Sequence, residues 1–375
     1  MSAAPEAVPR RVLFVFGWLV VGGEETEVRL LARTLDPRRF RIEVVACFRK
    51  DGMPNLTHQQ LEALGVAVDR TPYELSYDST VAYLAEKMAG YDLVVACQAV
   101  PDVYPALARM GRRPALIEHG GLVSEALAGP KYWTARYVGV CATIRDAAAS
   151  RMPDRPHHAL EIPSMVDLTE FDPSRRGEVR DELGAAADAP LIGWVGRLDR
   201  KKRVEDFIEA AALVRRSRPH TRFVIVGGPD AFMPEYAEEL RTLSSRLGLD
   251  EAMVFLGDRG DVPRLLSGLD ALAWLSRGEG MPHVIAEAGA ARLPVVATRD
   301  NGTEEQIVDG ESGLFVLHEN PSAVAGALLR LIDRPNLRTR LGTGLREKVK
   351  REYSAAAVAP AWATLFEEVI AEHSA

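Results

Sequence analysis

Three cysteines in 375 residues are too few for a disulfide framework. Cys47, Cys97 and Cys141 each stand alone in an apolar segment, with no CxxC pair and no histidine at metal-ligand spacing. They read as reduced, buried thiols of a cytoplasmic protein. A basic excess is also missing. The 46 Lys and Arg face 53 Asp and Glu, a net charge of −7, which argues against a nucleic acid partner because phosphate backbones are held by clustered cations. No aromatic platform with interleaved arginines offers a stacking surface for single strands either. No run reaches the ~18–20 apolar residues of a membrane span, so any membrane contact is expected to be peripheral. The apolar stretch 12–21 does not fit a signal peptide, since Gly17 interrupts it and Gly-Gly-Glu-Glu follows where a cleavage site would stand. Nucleotide fingerprints are absent from the same place. "GWLVVGGEE" (17–25) has Gly23 where a P-loop needs lysine, and it lacks GxGxxG spacing.

What is present is ordinary globular material, 47% hydrophobic and 26% charged. The length exceeds the ~250–300 residues one core usually serves, so two domains with a cleft between them are expected. Continuous apolar runs at 11–17, 41–47, 91–97, 114–119 and 136–140 read as strands buried on both faces. Helical spacing fills 24–35, 56–64, 79–89 and 101–110. The pattern dissolves over 161–189, rich in proline, charge and small residues, which reads as an interdomain connection. It then restarts, with strands at 191–196, 222–227, 252–257, 271–276, 294–298 and 313–317 and helices at 203–216, 234–247, 261–267, 282–291, 304–308 and 321–332. Such alternation predicts βαβ units and parallel sheets, an α/β protein. Two last helices, near 335–351 and 355–372, have no following strand. The expected domains are 1–170, 171–354, and a closing helix 355–375 returning to the first; a monomer or a homodimer would accommodate this plan.

In open parallel sheets ligands sit beyond the carboxyl ends of the strands, so the residues after each apolar run are the candidates. Four loops qualify. In 17–25, Gly22 and Gly23 let a ligand approach backbone and helix amides, or form a plain tight turn. In "GRLDRKKR" (196–203), Arg197 and Lys202 are placed to converge on one anion such as a diphosphate, whereas Arg200, Lys201 and Arg203 fit a solvated basic turn.

The third loop opens "EGMPHVIAEAGAARLPVVAT" (279–298), with Glu279 before a helix whose first residue is Pro282, and Glu287 inside it. Eight residues of helix would separate the two backbones by ~12 Å, too far to favour the paired acids of a glycosidase. Two carboxylates so spaced suit hydroxyl groups at the two ends of a sugar–diphosphate–ribose molecule. In "DNGTEEQIVDG" (300–310), Thr303 and Gln306 match a capping box, and Asn301 and Gly302 expose the turn in front of it, where helix amides could cap the same diphosphate. In the first half, His119 ends a strand beside two glycines, and packing is the commoner role of such a lone histidine. His157, His158, His220 and His373 lie in polar segments.

Together, Gly22-Gly23-Glu24, "GRLDRKKRV", the Glu-x7-Glu segment and "NGTEEQIVDGESGLFV" resemble the family-4 retaining glycosyltransferases, over about 190–318. The resemblance implies the GT-B fold, two Rossmann-like domains facing a cleft with the activated sugar mostly on the second. It also implies a nucleotide-diphosphate sugar, UDP- or GDP-linked, as donor substrate with no cofactor, and an unidentified hydroxylated acceptor. By it, Glu279 contacts the transferred sugar, Glu287 the ribose, and Arg197 and Lys202 the diphosphate. Gly280, Met281 and Pro282 line the donor, Gly302 and Thr303 supply amides, His119 approaches the sugar, and Gly22 and Gly23 face the phosphate or acceptor. The chain departs from the pattern at Arg203, where glycine is usual, at Ser164, usually asparagine, and at Arg136 and Cys141, usually Asp and Ser. No DxD clamp stands near these loops, so catalysis without a divalent ion is expected. The resemblance favours same-face attack by the acceptor over a covalent enzyme intermediate. A nucleotide-sugar epimerase or phosphorylase, or a non-catalytic nucleotide-sugar-binding protein, would share the fold.

Overall fold

The computed structural model describes residues 8–374. They divide into two compact units, one running up to Ser164 and taking in the chain again from Val358, the other spanning Met165–Ala357.

The first unit contains β1 (Arg10–Trp18), α1 (Gly23–Thr34), β2 (Phe40–Phe48), α2 (Leu56–Ala63), β3 (Ala67–Asp69), α3 (Tyr77–Met88), β4 (Leu93–Cys97), α4 (Val100–Ala108), β5 (Ala115–Gly120), α5 (Val123–Leu127), β6 (Arg136–Gly139), α6 (Ala142–Ser150) and β7 (Ala159–Glu161). Its seven strands are all parallel, in the order β3-β2-β1-β4-β5-β6-β7. Helices cover both faces of such a sheet, so its middle strands must be apolar throughout. Residues Val12, Leu13, Phe14, Val15 and Phe16 of β1 are accordingly buried, in register with Ile42–Ala46 on one side and Leu93–Cys97 on the other.

The second unit contains α7 (Arg176–Glu182), β8 (Leu191–Val195), α8 (Val204–Ser217), β9 (Arg222–Val226), α9 (Glu235–Arg246), β10 (Met253–Phe255), α10 (Val262–Gly268), β11 (Ala271–Trp274), α11 (His283–Ala290), β12 (Val295–Thr298), α12 (Asn301–Gln306), β13 (Leu314–Val316), α13 (Pro321–Asp333) and α14 (Pro335–Glu352). Its six parallel strands run β10-β9-β8-β11-β12-β13. Val204, Phe207, Ile208, Ala211 and Val214 form the buried stripe of α8, and Phe207 meets Phe223 of β9 edge to face at 5.9 Å. The last helix, α15 (Ala355–Ser374), joins the first unit from Val358 onward. There Phe366 packs on Phe14 and Phe40, and the Trp362 indole donates to Glu27 Oε1 at 3.2 Å.

Several expectations need correction. The passage between the units does fall in 161–189, but most of that stretch belongs to the second unit and includes α7, whose Arg180 donates to Asp270 Oδ2 (3.2 Å), which also accepts the Leu191 amide (2.8 Å). The units part at Ser164 rather than 170, since Val166 is stitched to the far end of the chain by Val166 N to Tyr353 O and Ala355 N to Val166 O, both 2.8 Å. The short edge strands β3 and β7 and the helices α5 and α6 had no apolar run or long stripe to announce them. The three cysteines are free and buried. No helix among the described residues is long and apolar enough to cross a membrane.

One buried ion pair braces β5. Lys131 Nζ lies 2.5 Å from Glu118 Oε2, each side chain 2% exposed, and the Thr134 hydroxyl donates to the other carboxylate oxygen. Removing one partner of such a pair strands a charge. Lys131→Met is therefore expected to destabilise the protein by about 3–5 kcal/mol. Urea denaturation measures it, and a loss below ~1 kcal/mol contradicts the pairing.

Candidate active site

In the second sheet the chain order reverses between β8 and β11, so the loops leaving these strands bracket the switch point where open α/β sheets bind ligands. Both loops carry charge. After β8 come Arg197, Asp199, Lys201 and Lys202, and after β11 comes Glu279. Lys202 Nζ stands 3.7 Å and Lys201 Nζ 3.4 Å from Glu279 Oε1, which also accepts from the Ser276 hydroxyl at 3.1 Å. The backbone fixes this meeting, because the Arg277 amide donates to the Lys201 carbonyl at 2.8 Å. Lys202 and Glu279 side chains are each 14% exposed. Burial pulls the Glu279 carboxyl upward, but Lys202, Lys201 and the Ser276 hydroxyl outweigh it and hold the group below its ordinary value. Lys202 is displaced downward by burial, against the support of Glu279, and its ammonium sits 4.7 Å from the centre of the Trp274 ring.

Arg197 stands on the same loop with Nε 2.9 Å from Asp230 Oδ2 and Nη2 3.9 Å from Asp199 Oδ2. Asp230 follows β9 in "GGPD" and accepts the Phe232 amide at 2.7 Å. Gly227, the residue immediately after β9, has φ +135°, and a β-carbon there would collide with the Gly196 carbonyl. The close approach seats the Arg197 turn on the Asp230 loop.

The next loop locks onto Glu279 from the other side. Its amide donates to Asp300 Oδ2 at 2.9 Å, and its carbonyl accepts from Asn301 Nδ2 at 3.0 Å. The Gly302 amide donates to the Gly280 carbonyl at 2.6 Å, and a β-carbon at Gly302 would run into that carbonyl and Met281. The Gly302 amide expected to serve a ligand is thus used inside the protein. The helix α12 is capped by Asp300, whose Oδ1 accepts the Asn301 amide, so Thr303 and Gln306 do not form the expected capping box. Thr303 is instead a buried third helical residue whose hydroxyl has no hydrogen-bond partner among the described residues, and Gln306 donates to the Pro282 carbonyl at 3.2 Å. Pro282 caps α11 rather than starting it, and Glu287 lies half-buried on that helix's second turn.

In the first unit His119 is the penultimate residue of β5, buried, its ring edge-on to Trp362 at 5.2 Å. Gly22 is the N-cap of α1, its carbonyl accepting from the Thr26 amide and hydroxyl, and Gly23 is the exposed first residue of the helix.

Comparison with known proteins falls on the unit that carries the charged loops. Residues 175–348 match the family model described as glycosyl transferases group 1. This segment is similar to that family over just under half of the chain. A D-inositol 3-phosphate glycosyltransferase of Actinosynnema mirum is 34% identical over 192 residues, 50% of this chain and 46% of the relative. An alpha-D-kanosaminyltransferase of Streptomyces kanamyceticus is 31% identical over 198 residues, 52% of this chain and 50% of that protein. The matched stretch thus spans about half the length of these relatives. Among solved structures, HepE of Anabaena in complex with UDP-glucose aligns with a TM-score of 0.82 over 96% of this chain and 99% of its own, at 21% identity. The lipopolysaccharide glycosyltransferase WaaG aligns with a TM-score of 0.72 at 17% identity, over 95% and 99% of the two chains. The fold is therefore GT-B, with two Rossmann-like parallel-sheet units.

Within the group 1 segment the structure adds Lys201, Asp230, Asp300 and Trp274 to the residues named from sequence. Asp230 had a legible signal, an acid just past a strand in a glycine-proline turn. Lys201 had none, since one of three consecutive basic residues reaches Glu279 only through the turn that the backbone takes.

Because Glu279 is held below its ordinary value of 4.5, its contribution to stability is fully present above that pH and is lost as pH falls through the folded value. The gap in melting temperature between the native protein and Glu279→Gln should be wide near neutrality and close in acid. A gap independent of pH contradicts the ion contact.

Proposed function

We propose that the protein is a retaining glycosyltransferase that moves a sugar from a nucleotide-diphosphate sugar to a hydroxyl acceptor. The observation that carries this reading is the meeting of Lys201 and Lys202 with Glu279 at the switch point of the second sheet, with Arg197 on the same loop. The cations stand beside Asp199, Asp230 and Glu279, so they are held in place before any ligand arrives. Fixed charges of that kind stabilise an anion where it develops without reorganising.

The bond that breaks joins the anomeric carbon to a diphosphate oxygen, and its electron pair leaves on that oxygen. Lys202 and Arg197 take up the growing charge. Lys202 is largely desolvated, which strengthens its field toward an anion. Glu279, acceptor-only when ionised, receives hydrogen bonds from the sugar's hydroxyls, and Glu287 does the same for the ribose. The acceptor hydroxyl attacks the anomeric carbon from the face the diphosphate leaves, and its proton passes to the departing diphosphate. HepE, whose structure holds UDP-glucose, supports a uridine diphosphate donor for this chain. With Lys and Arg neutralising the leaving group, the reaction runs without a divalent ion.

Lys202→Ala and Arg197→Ala are each expected to lower kcat by about 10²–10³ with the fold intact by circular dichroism. Full activity in both variants overturns the reading. Native activity should survive EDTA, and a thermal-shift screen should show UDP raising the melting temperature above GDP and ADP. Conversion of donor in the absence of acceptor would identify an epimerase instead.

A further inference from the structure

The first sheet has its own switch point, between β1 and β4, and the residues around it are acidic. Glu24 and Glu25 follow β1 in the first turn of α1, and Glu125 reaches over from α5. Glu24 Oε1 and Glu125 Oε2 both accept from one amide, that of Gly121 just past β5, at 3.1 and 2.9 Å. Two carboxylates thus converge on a single donor. Glu25 is engaged elsewhere by the Val20 amide at 3.1 Å. Glu24 is 6% exposed, and its second oxygen, Oε2, has no hydrogen-bond partner among the described residues.

A second buried polar group stands beside the carboxylates. The Tyr137 side chain on β6 is 1% exposed, and its hydroxyl has no hydrogen-bond partner among the described residues. It lies against the α-carbon of Gly120, where a β-carbon would overlap it, one residue from the amide on which the carboxylates meet. A buried acceptor and a buried donor left unsatisfied near one amide cost stability, and such groups are expected to be paired when the site is filled. Burial lifts Glu24 well above the carboxylate range, Glu125 and Glu25 add to the lift, and the Gly121 amide and Gln98 side chain only partly oppose it. The charges that act on it most are therefore of its own sign. Gly121 itself is uncrowded, the closest group to a β-carbon there being Glu24 Oε1 at 3.8 Å.

We propose that this carboxylate pair is a recognition site for a protonated amine on the acceptor, with Glu24 Oε2 taking an ammonium hydrogen and the Tyr137 hydroxyl donating to a neighbouring acceptor oxygen. An ammonium group replaces like-charge repulsion with attraction and supplies the missing donor, while a phosphate or carboxylate is repelled by the same pair. The acceptor class is thus an amino sugar or aminocyclitol rather than a sugar phosphate. This inference rests on the transferase reading for its biological meaning, but not for its test.

The test compares methyl glucosaminide and 2-deoxystreptamine with methyl glucoside, methyl N-acetylglucosaminide and glucose 6-phosphate, by calorimetry on the intact chain without donor. Both amines should bind about tenfold or more tightly than the neutral compounds, with no binding of the phosphate. In Glu24→Gln the ratio of amine to neutral affinity should fall to within about twofold. Equal binding of neutral and amine compounds, preferred binding of the phosphate, absence of amine binding, or an unchanged ratio in Glu24→Gln overturns the proposal. Should that variant not fold, the comparison in the native protein decides alone. Amine binding in a protein that shows no sugar transfer would sink the transferase reading and leave this site standing; transfer to neutral acceptors alone would do the reverse.

Discussion

A glutamate enclosed between two lysines sets the geometry of the second unit's charged loops. Glu279 is mostly buried, and a lone carboxylate there would take up a proton. Lys202 and Lys201 hold its carboxyl below the ordinary value, and it in turn opposes the burial that draws Lys202 downward. Neither group is affordable without the other. The contact also joins two loops that leave different strands, so the distance between the cation loop and the carboxylate loop follows from pairing of charges and from the Arg277–Lys201 backbone hydrogen bond.

From that pair the constraint spreads through backbone groups. Asp300 both caps α12 and holds the Glu279 amide, while Asn301 and Gly302 grip the carbonyls of Glu279 and Gly280. On the lysine side the turn closes through Arg203, which adopts φ 52° and ψ 47°, a left-handed conformation that costs a side-chain-bearing residue roughly 1–2 kcal/mol. This gives a physical reason for the glycine usual at that position in the family the sequence resembles. Here the guanidinium makes a two-pronged contact with Asp206, at 3.0 and 2.8 Å, and meets Glu205 at 2.7 Å, and these contacts offset the strain.

Legibility tracked burial. Strands covered on both faces, such as β1, β4 and β9, are unbroken apolar runs and could be read within a residue or two of their ends. The three-residue edge strands β3 and β7 contain Asp69 and Glu161, and nothing in such short polar pieces distinguishes them from loop. The helix α7 hid in a stretch whose arginines looked like linker charge, because its anchor, Asp270, lies ninety residues away from Arg180. Among candidate site residues, Arg197, Lys202 and Glu279 were visible because each follows a strand; the capping role of Asp300 went unread because Thr303 and Gln306 offered an equally regular capping pattern.

The sequence by itself determined two parallel sheets and the loops that would carry charge, because alternating strands and helices and the carboxyl ends of strands are local patterns. Only the tertiary structure decided which charges meet. Lys201 rather than Arg200 reaches Glu279, Asp230 holds Arg197, and Glu24 and Glu125 share one amide, each pairing set by how non-adjacent loops are brought within a few ångströms. Electrostatic partners are fixed by distance in space, and distance in space is not written in the spacing of residues along a chain.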